Sequence, residues 1–599
     1  MTGRPESRPP EPADAWFARG TQLQQRGALE EAVSAYREAL RGRAAFPEAW
    51  NNLAAALRAL RRPDEARASA NQALALRPAY PRALNNRGLI ALDAGDGAAA
   101  VGDFHRALAL EPRFPEALHN LATALVQLRR YAEARAAYAQ LAQQAPDFPH
   151  VGGNALFAQL CDCDWRGLEP LAAAVTAAVA RGQHAATPMS FLCVSGSPLL
   201  QLRCAEAYTQ AFFPPAAAPA ATRHVPGERI RVGYLSCDFG EHAISYLLAG
   251  VFERHDPARF ETFAFSWGRR ADGEIRRRLE RAFTRFTAAD ELADADVVRL
   301  MRELGIDIAV DLCGHTAGQR TGILARRAAP IQVNFLGLPS TMGAAYIDYL
   351  IADPFLIPED QERHYSERIA RLEGGFQPND DRRPRAPATE PRAALGLPEG
   401  ALVLCSFNRP CKITPAIFAV WLRLLQAFPD SVLWLLATHE AVAENLRREA
   451  AGRGVPHGRL VFADQVGYAA YLARYRHADL FLDTAPFNGG TTVSDALSMG
   501  VPVLTLAGES FAARMAGSAL HALGLTELIT HSTAEYETTA LALLRNPARL
   551  RVLRKSLEQA HLEHPFFDTD RYRVRLEAAY ATMVSRQTAG LPPVSFTIA

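Results

Sequence analysis

The chain has 599 residues, with 65 lysines and arginines against 64 aspartates and glutamates, a formal charge of +1 and eight cysteines. This length calls for several domains, and the even charge gives no support to a nucleic-acid or anionic-membrane surface. The scattered cysteines imply no disulfide framework; with no apolar leader and no run of 18 apolar residues, the chain reads as soluble and cytoplasmic, without a membrane partner.

Residues 1–14, MTGRPESRPPEPAD, are Pro-rich and read as a disordered start. From Ala15 to about residue 150 a 34-residue period follows: FPEAWNNLA at 46–54 returns as YPRALNNRG at 80–88 and FPEALHNLA at 114–122. Prolines recur at 47, 81, 115 and 149. Small residues recur in step at Gly20, Ala54, Gly88 and Ala122, and again at Ala32, Ala66, Ala100 and Ala134. Aromatic or small residues follow at Tyr36, Ala70, Phe104 and Tyr138. This spacing is the signature of the tetratricopeptide repeat, in which small residues let two helices approach and proline marks each boundary. About four repeats would stack into a solenoid whose concave face takes a peptide or protein. Asn51, Asn52, Asn85, Asn86 and Asn120 fall early in the first helix of their repeats. They either face that groove and grip a backbone, or simply meet water.

Residues 151–227 stay helical and Ala-rich and read as a connector. It contains the sequence DCD at 162–164, and DAD occurs at 294–296. Both match the D-x-D of metal-dependent sugar transferases. Each lies in helical or helix-starting sequence, not in a loop after a buried strand, so neither is assigned a metal. Cys161 and Cys163 have no second ligand pair nearby, which argues against zinc.

After residue 228 short apolar runs alternate with amphipathic helices. Strands are predicted at 230–236, 260–266, 306–312, 331–337 and 348–354, then at 401–407, 431–437, 459–465, 478–484 and 501–507. Such runs predict parallel sheets covered on both faces. The fold class is therefore an α-helical solenoid followed by two doubly wound α/β lobes, 228–375 and 401–585. A Pro- and charge-rich linker at 376–400 joins the lobes, and 586–599 forms a tail. Ligands of such lobes bind at loops on the carboxyl ends of strands.

The informative polar residues fall in those loops. In LDTAPFNGGTTVSDALSMG (482–500) a strand ends, Gly489 and Gly490 follow, and Thr491 or Thr492 opens a helix. Backbone N–H groups there, with glycines permitting close approach, suit a diphosphate, or the stretch is an ordinary capped helix. Asp495 either closes a capping box or accepts hydrogen bonds from a ribose. Asp311 with His315, and Asp238 with His242, follow two strands of the first lobe and are candidates for acid–base or positioning work, or for capping. Lys412 lies in the matching loop of the second lobe, in FNRPCKITP. Only it and Lys555 are lysines, and a compact ammonium fits a phosphate pocket that a guanidinium fork would not.

Taken in order, RVGYLSCDFGEHAIS, DLCGHT, RAAPIQVNFLGLPSTMG, YLIADP, FNRPCKITP, LDTAPFNGGTT and GVPVLTLAGESFAARMAGSAL resemble a bacterial member of the protein O-linked N-acetylglucosamine transferase family. The resemblance implies a two-lobed GT-B glycosyltransferase behind the repeats. It implies inverting, metal-independent transfer of N-acetylglucosamine from UDP-GlcNAc to Ser or Thr hydroxyls of a protein held by the repeats, with no cofactor. It assigns Lys412, Thr491 and Thr492, with Gly489 and Gly490, to the diphosphate, Asp495 to the ribose and Tyr471 to the base. His242 falls beside sugar and acceptor, and Asp311, His315 and Pro339 at the sugar pocket; Lys412, His242 and Asp311 are the catalytic set. The chain departs from the animal pattern at Gly490 and Tyr471, where histidines stand there, and at Arg409 and Pro410. Two alternatives stay open: a SPINDLY-type transferase using GDP-fucose, and a repeat scaffold with a vestigial transferase half.

Overall fold

The computed structural model describes residues 12–216, 224–225, 227–268, 273–384 and 390–599. The expected disordered start lies largely outside the described residues, and a helix already begins at Ala13. Parts of the connector and of the 376–400 linker also lie outside them. The chain divides into two compact units, the repeats up to Val151 with the short segment Asp290–Ala293, and Gly152–Ala289 with Asp294–Ala599. Among the described residues no helix is long and apolar enough to cross a membrane.

In the first unit eight helices pair as expected, from Ala13–Gln25 with Leu29–Gly42 to Pro115–Gln127 with Tyr131–Gln144. Pro47, Pro81 and Pro115 each occupy the first turn of a helix, where the missing N–H costs nothing. The recurring small residues have a steric cause. A Cβ on Gly20 would lie 2.7 Å from the Tyr36 ring, and one on Gly88 would lie 2.6 Å from Phe104. Asn51, Asn52, Asn85 and Asn86 line the groove, as the first of the two readings expects, and they also bond to one another. Asn51 and Asn85 are buried, and they accept hydrogen bonds from Asn86 Nδ2 (2.8 Å) and Asn120 Nδ2 (2.9 Å). They tie each repeat to the next. A groove of about 440 Å³ beside them is lined by Asn52, Asn86, Tyr80 and Phe114 with both acidic and basic side chains.

The second unit holds two parallel sheets. In the first, β1 (Ile230–Ser236), β2 (Phe260–Ser266), β3 (Arg285–Ala288), β4 (Ile308–Asp311), β5 (Ile331–Asn334), β6 (Tyr349–Ala352) and β7 (Arg368–Leu372) are described. The second contains β8 (Leu402–Ser406), β9 (Ser431–Leu436), β10 (Leu460–Ala463), β11 (Leu480–Leu482), β12 (Val503–Leu506) and β13 (Ile529–Thr530). A last strand, β14 (Phe596–Ile598), returns to pair with β7. The orders β3-β2-β1-β4-β5-β6-β7-β14 and β10-β9-β8-β11-β12-β13 are doubly wound. Each reverses direction once, between β1 and β4 and between β8 and β11, and a crevice forms at such a switch point.

Two predicted boundaries are corrected. The 376–400 segment is not a solvated linker at its start. Phe376 lies in the first lobe's core, Asn379, Asp380 and Arg383 are buried, and Arg278 pairs with Asp380. Charge there is neutralised internally, which composition does not reveal. Nor does the second lobe run to 585 with a free tail. The helix Thr569–Thr588 crosses back to the first sheet, where Glu577 meets His255 Nδ1 at 3.0 Å and Tyr580 meets Tyr234 at 3.3 Å. The tail then supplies β14. The connector's aspartates are structural. Asp162 Oδ1 lies 2.7 Å from His439 Nε2, Asp164 pairs with Arg166 and Arg448, and in the other motif Asp294 pairs with Arg320.

The repeat packing makes a paired prediction. Gly88→Ala brings a Cβ to 2.6 Å of Phe104. Overpacking of about 1–3 kcal/mol outweighs the ~1 kcal/mol gained from helix propensity. Gly102→Ala, with nothing within 4 Å, keeps only the gain. Denaturant unfolding of the repeat unit should therefore move in opposite directions for the two variants.

Candidate active site

The two loops at the second sheet's switch point build one cluster. β8 runs into Asn408 and a short turn, Pro410–Lys412; β11 runs into Asp483 and the loop that precedes the helix Thr491–Ser498. Buried Asn408 ties the loops together, donating through Nδ2 to Asp483 Oδ1 (2.9 Å) and Thr484 Oγ1 (2.8 Å) and accepting from Thr492 Oγ1. Asp483 Oδ1 also accepts the Gly489 N–H at 2.7 Å. Burial pushes the Asp483 carboxyl up to about 6.

Lys412 is half-buried in this cluster. Its Nζ donates to Asn488 O at 2.7 Å and lies 3.6 Å from the Phe487 ring centroid, a cation–π contact. Among the described residues it has no carboxylate partner within ion-pair distance. Burial pushes its pKa down to about 8. Beyond it begins the helix Thr491–Ser498; Val493 N and Ser494 N already donate to Gly490 O at 3.1 Å, which leaves the amides of Thr491 and Thr492 at the helix start. No side chain caps Gly490, so the capping-box reading of Asp495 does not hold.

A Cβ on Gly489 would lie 2.6 Å from Thr492 Oγ1 and 2.7 Å from Asn408 Oδ1, and one on Gly490 would lie 2.6 Å from Met515 Cε. Gly489 is tightly enclosed by the loop, whereas at Gly490 only the flexible tip of Met515 would have to shift.

Asp495 is buried, and its Oδ1 accepts from Arg383 (3.1 Å) and Tyr468 Oη (2.9 Å). Burial, opposed by Arg383, pushes its carboxyl up to about 6. Tyr471 packs edge-on to Tyr475 at 5.4 Å, and its Oη lies 2.8 Å from that of Tyr475, whose hydroxyl donates to Thr492 O. Tyr468 reaches across the lobes instead, stacked on Tyr246 at 3.8 Å and 17°. Arg383, Asn408, Tyr468 and Tyr246 were not singled out in the sequence. Arg383 was masked by the charge-rich run around it. The tyrosines lie on helix faces where an aromatic usually means core.

The first lobe's candidates gather at the β1–β4 switch point, where Leu235 pairs with Asp311. His242 is exposed; its Nδ1 accepts from Ile244 N at 3.4 Å, capping the helix Ala243–Arg254, and lies 3.6 Å from Asp238 Oδ2. Asp311 does not stand free for acid–base work. Its oxygens accept the N–H groups of Cys313 (2.9 Å) and Gly314 (3.2 Å), and burial pushes its pKa up to about 6. It holds the loop that carries His315. His315 is buried, with Nε2 2.8 Å from the Met342 carbonyl, so Nε2 carries the proton and Nδ1 is an acceptor without a partner among the described residues. Burial pushes it down to about 4, leaving it neutral. Half-buried Pro339 lies in the loop after β5, which Leu338 N fixes to Cys313 O at 3.1 Å.

The structure thus unites Lys412, Thr491, Thr492, Gly489 and Gly490, and places Asp495 and Tyr471 one helical turn and one aromatic layer away. His242, Asp311, His315 and Pro339 form a second set on the other sheet. The Tyr246–Tyr468 stack links the two.

Comparison with known proteins identifies the family. The sequence patterns of the tetratricopeptide repeat match residues 47–80 and 91–159. The chain is 32% identical over 460 residues to the probable UDP-N-acetylglucosamine–peptide N-acetylglucosaminyltransferase SEC of Arabidopsis thaliana, covering 73% of this chain and 47% of that protein. It is 31% identical over 372 residues to the protein of the same description, SPINDLY, of Oryza sativa subsp. japonica, covering 60% and 40%. It spans under half the length of these curated relatives. A structure of a mutant O-GlcNAc transferase of Thermobaculum terrenum superposes with a TM-score of 0.67 at 27% identity, covering 91% of this chain and 98% of that one. The pattern of glycosyl transferase family 41 matches residues 212–383 and 377–576, more than half of the chain, which therefore belongs to that family.

Proposed function

We propose that the chain is an inverting, metal-independent transferase that moves N-acetylglucosamine from UDP-GlcNAc to Ser or Thr hydroxyls of proteins. The observation that carries this is Lys412: a half-buried ammonium beside a helix start, without a carboxylate partner among the described residues. A cation so placed, together with the amides of a helix start, stabilises a diphosphate and the charge that develops on it as the sugar–phosphate bond breaks. The acceptor hydroxyl attacks the sugar carbon from the opposite face, and a single displacement inverts it. The names of the two plant relatives, both giving UDP-N-acetylglucosamine and a peptide, support the donor choice.

Each remaining residue has a part in this reading. Asp495, oriented by Arg383 and Tyr468, takes the ribose, and the tyrosines around Tyr471 flank the base. Exposed His242 stands at the acceptor side. Asp311 positions the His315 loop, and His315 Nδ1 accepts a hydrogen bond from the sugar. The repeat groove, lined by Asn52 and Asn86, holds the acceptor protein.

Calorimetric titration of UDP and of GDP into the chain tests the donor. UDP should bind, and Lys412→Ala should weaken it about 10- to 100-fold, the ~1.5–3 kcal/mol of a hydrogen bond to a charged group. Turnover should fall further, by ~10²–10³-fold. A preference for GDP would favour the fucose donor, and no binding of either would leave a repeat scaffold.

The pH dependence has a definite sign. Lys412 is held down at about 8, so its charge is present below that value and lost above it. Above about pH 8 UDP affinity should fall, approaching about tenfold per unit. In Lys412→Arg the fall should vanish, because guanidinium does not titrate, while affinity stays low because the fork does not fit.

A further inference from the structure

Two thiols meet at the carboxyl end of the first sheet. β1 and β4 are in register with Leu235 opposite Asp311, so Cys237 and Cys313, each two residues further on, leave the sheet side by side. Their sulfurs are 3.5 Å apart, and the Cys237 N–H donates to Cys313 Sγ at 3.3 Å. A carboxylate oxygen of Asp238 lies within 4.8 Å of both sulfurs. Two sulfurs on one tetrahedral ion, each about 2.3 Å from it, stand about 3.7 Å apart. The pair is therefore nearly at ligand spacing already.

Access to this group is through Cys237 and Asp238. Cys237 is partly exposed and the Asp238 side chain retains 24% exposure, whereas Cys313, like Cys161, Cys193 and Cys411, is buried. The transfer reaction described above uses neither Cys237 nor Cys313.

We propose that Cys237, Cys313 and Asp238 form a binding site for a thiophilic divalent cation of the zinc class. Two sulfurs and one carboxylate match zinc or cadmium, whereas magnesium and calcium require oxygen donors throughout. His242 Nδ1, 3.6 Å from Asp238 Oδ2, is the nearest nitrogen donor. The ion takes both sulfurs as thiolates and releases their protons, so binding tightens as pH rises. Occupancy draws Asp238 away from His242. The site is distinct from the diphosphate cluster on the other sheet and has no part in the transfer step.

Cadmium titrated into the full reduced chain reports the site through sulfur-to-cadmium charge-transfer absorbance. One accessible ion per chain is expected, with zinc displacing it and magnesium without effect. Cys237→Ser and Cys313→Ser should each abolish the signal, and Asp238→Asn should weaken affinity about tenfold or more. A second measurement needs no variant: saturating zinc should slow alkylation of Cys237, followed by mass spectrometry, about tenfold or more. Absorbance surviving in either cysteine variant, or an alkylation rate indifferent to zinc, would overturn the proposal.

Discussion

Lys412 donates to a neutral carbonyl and lies over a phenyl ring, and burial there holds its pKa near 8. Almost every other feature of the second switch point follows from keeping that ammonium in place. Asn408 fixes its loop to Asp483, Asp483 fixes the glycine loop, and that loop delivers both the carbonyl of Asn488 and the start of the Thr491–Ser498 helix. Asp483 is close enough to raise the lysine's pKa without pairing with it. A carboxylate in direct contact would satisfy the ammonium, leaving less of its charge for an anion. The loop is built to support the cation and to leave it available.

A second ion pair depends on the chain's path between the lobes. Arg383 and Asp495 are both buried, 3.1 Å apart. Losing one partner of such a pair is costly, since it leaves a charge with no water around it. Arg383 belongs to the segment that leaves the first lobe, and Asp495 to the helix that heads the diphosphate cluster. The pair thus couples lobe connection to site geometry. The Tyr246–Tyr468 stack and the returning helix Thr569–Thr588 make the same link by packing.

Sequence alone revealed the solenoid, both sheets and the positions of Lys412, Thr491 and Thr492, because each rests on local signals: a 34-residue period, apolar runs, and a lone lysine where arginine is the rule. β3, β7, β13 and β14 were not predicted. They are short or lie at or beside a sheet edge, and Arg285–Ala288 and Arg368–Leu372 carry charge at their starts. The roles that failed were those set by tertiary contacts. Asp311 looked like an acid–base group until its oxygens were found on backbone amides. Asp495 looked like a cap until Arg383 and Tyr468 claimed it. Gly489 also makes room for Thr492 and Asn408, a packing role that the sequence did not show.

With only two lysines, the chain allows the account's central claim to be tested directly. The side-chain ammonium groups of Lys412 and Lys555 can be labelled with nitrogen-15 and titrated by NMR with and without UDP. The account predicts one ammonium titrating near 8 that moves upward when UDP binds, absent in Lys412→Arg, and a second that ignores the nucleotide. A Lys412 that titrates like an ordinary exposed lysine, or whose pKa is unmoved by bound UDP, would contradict it.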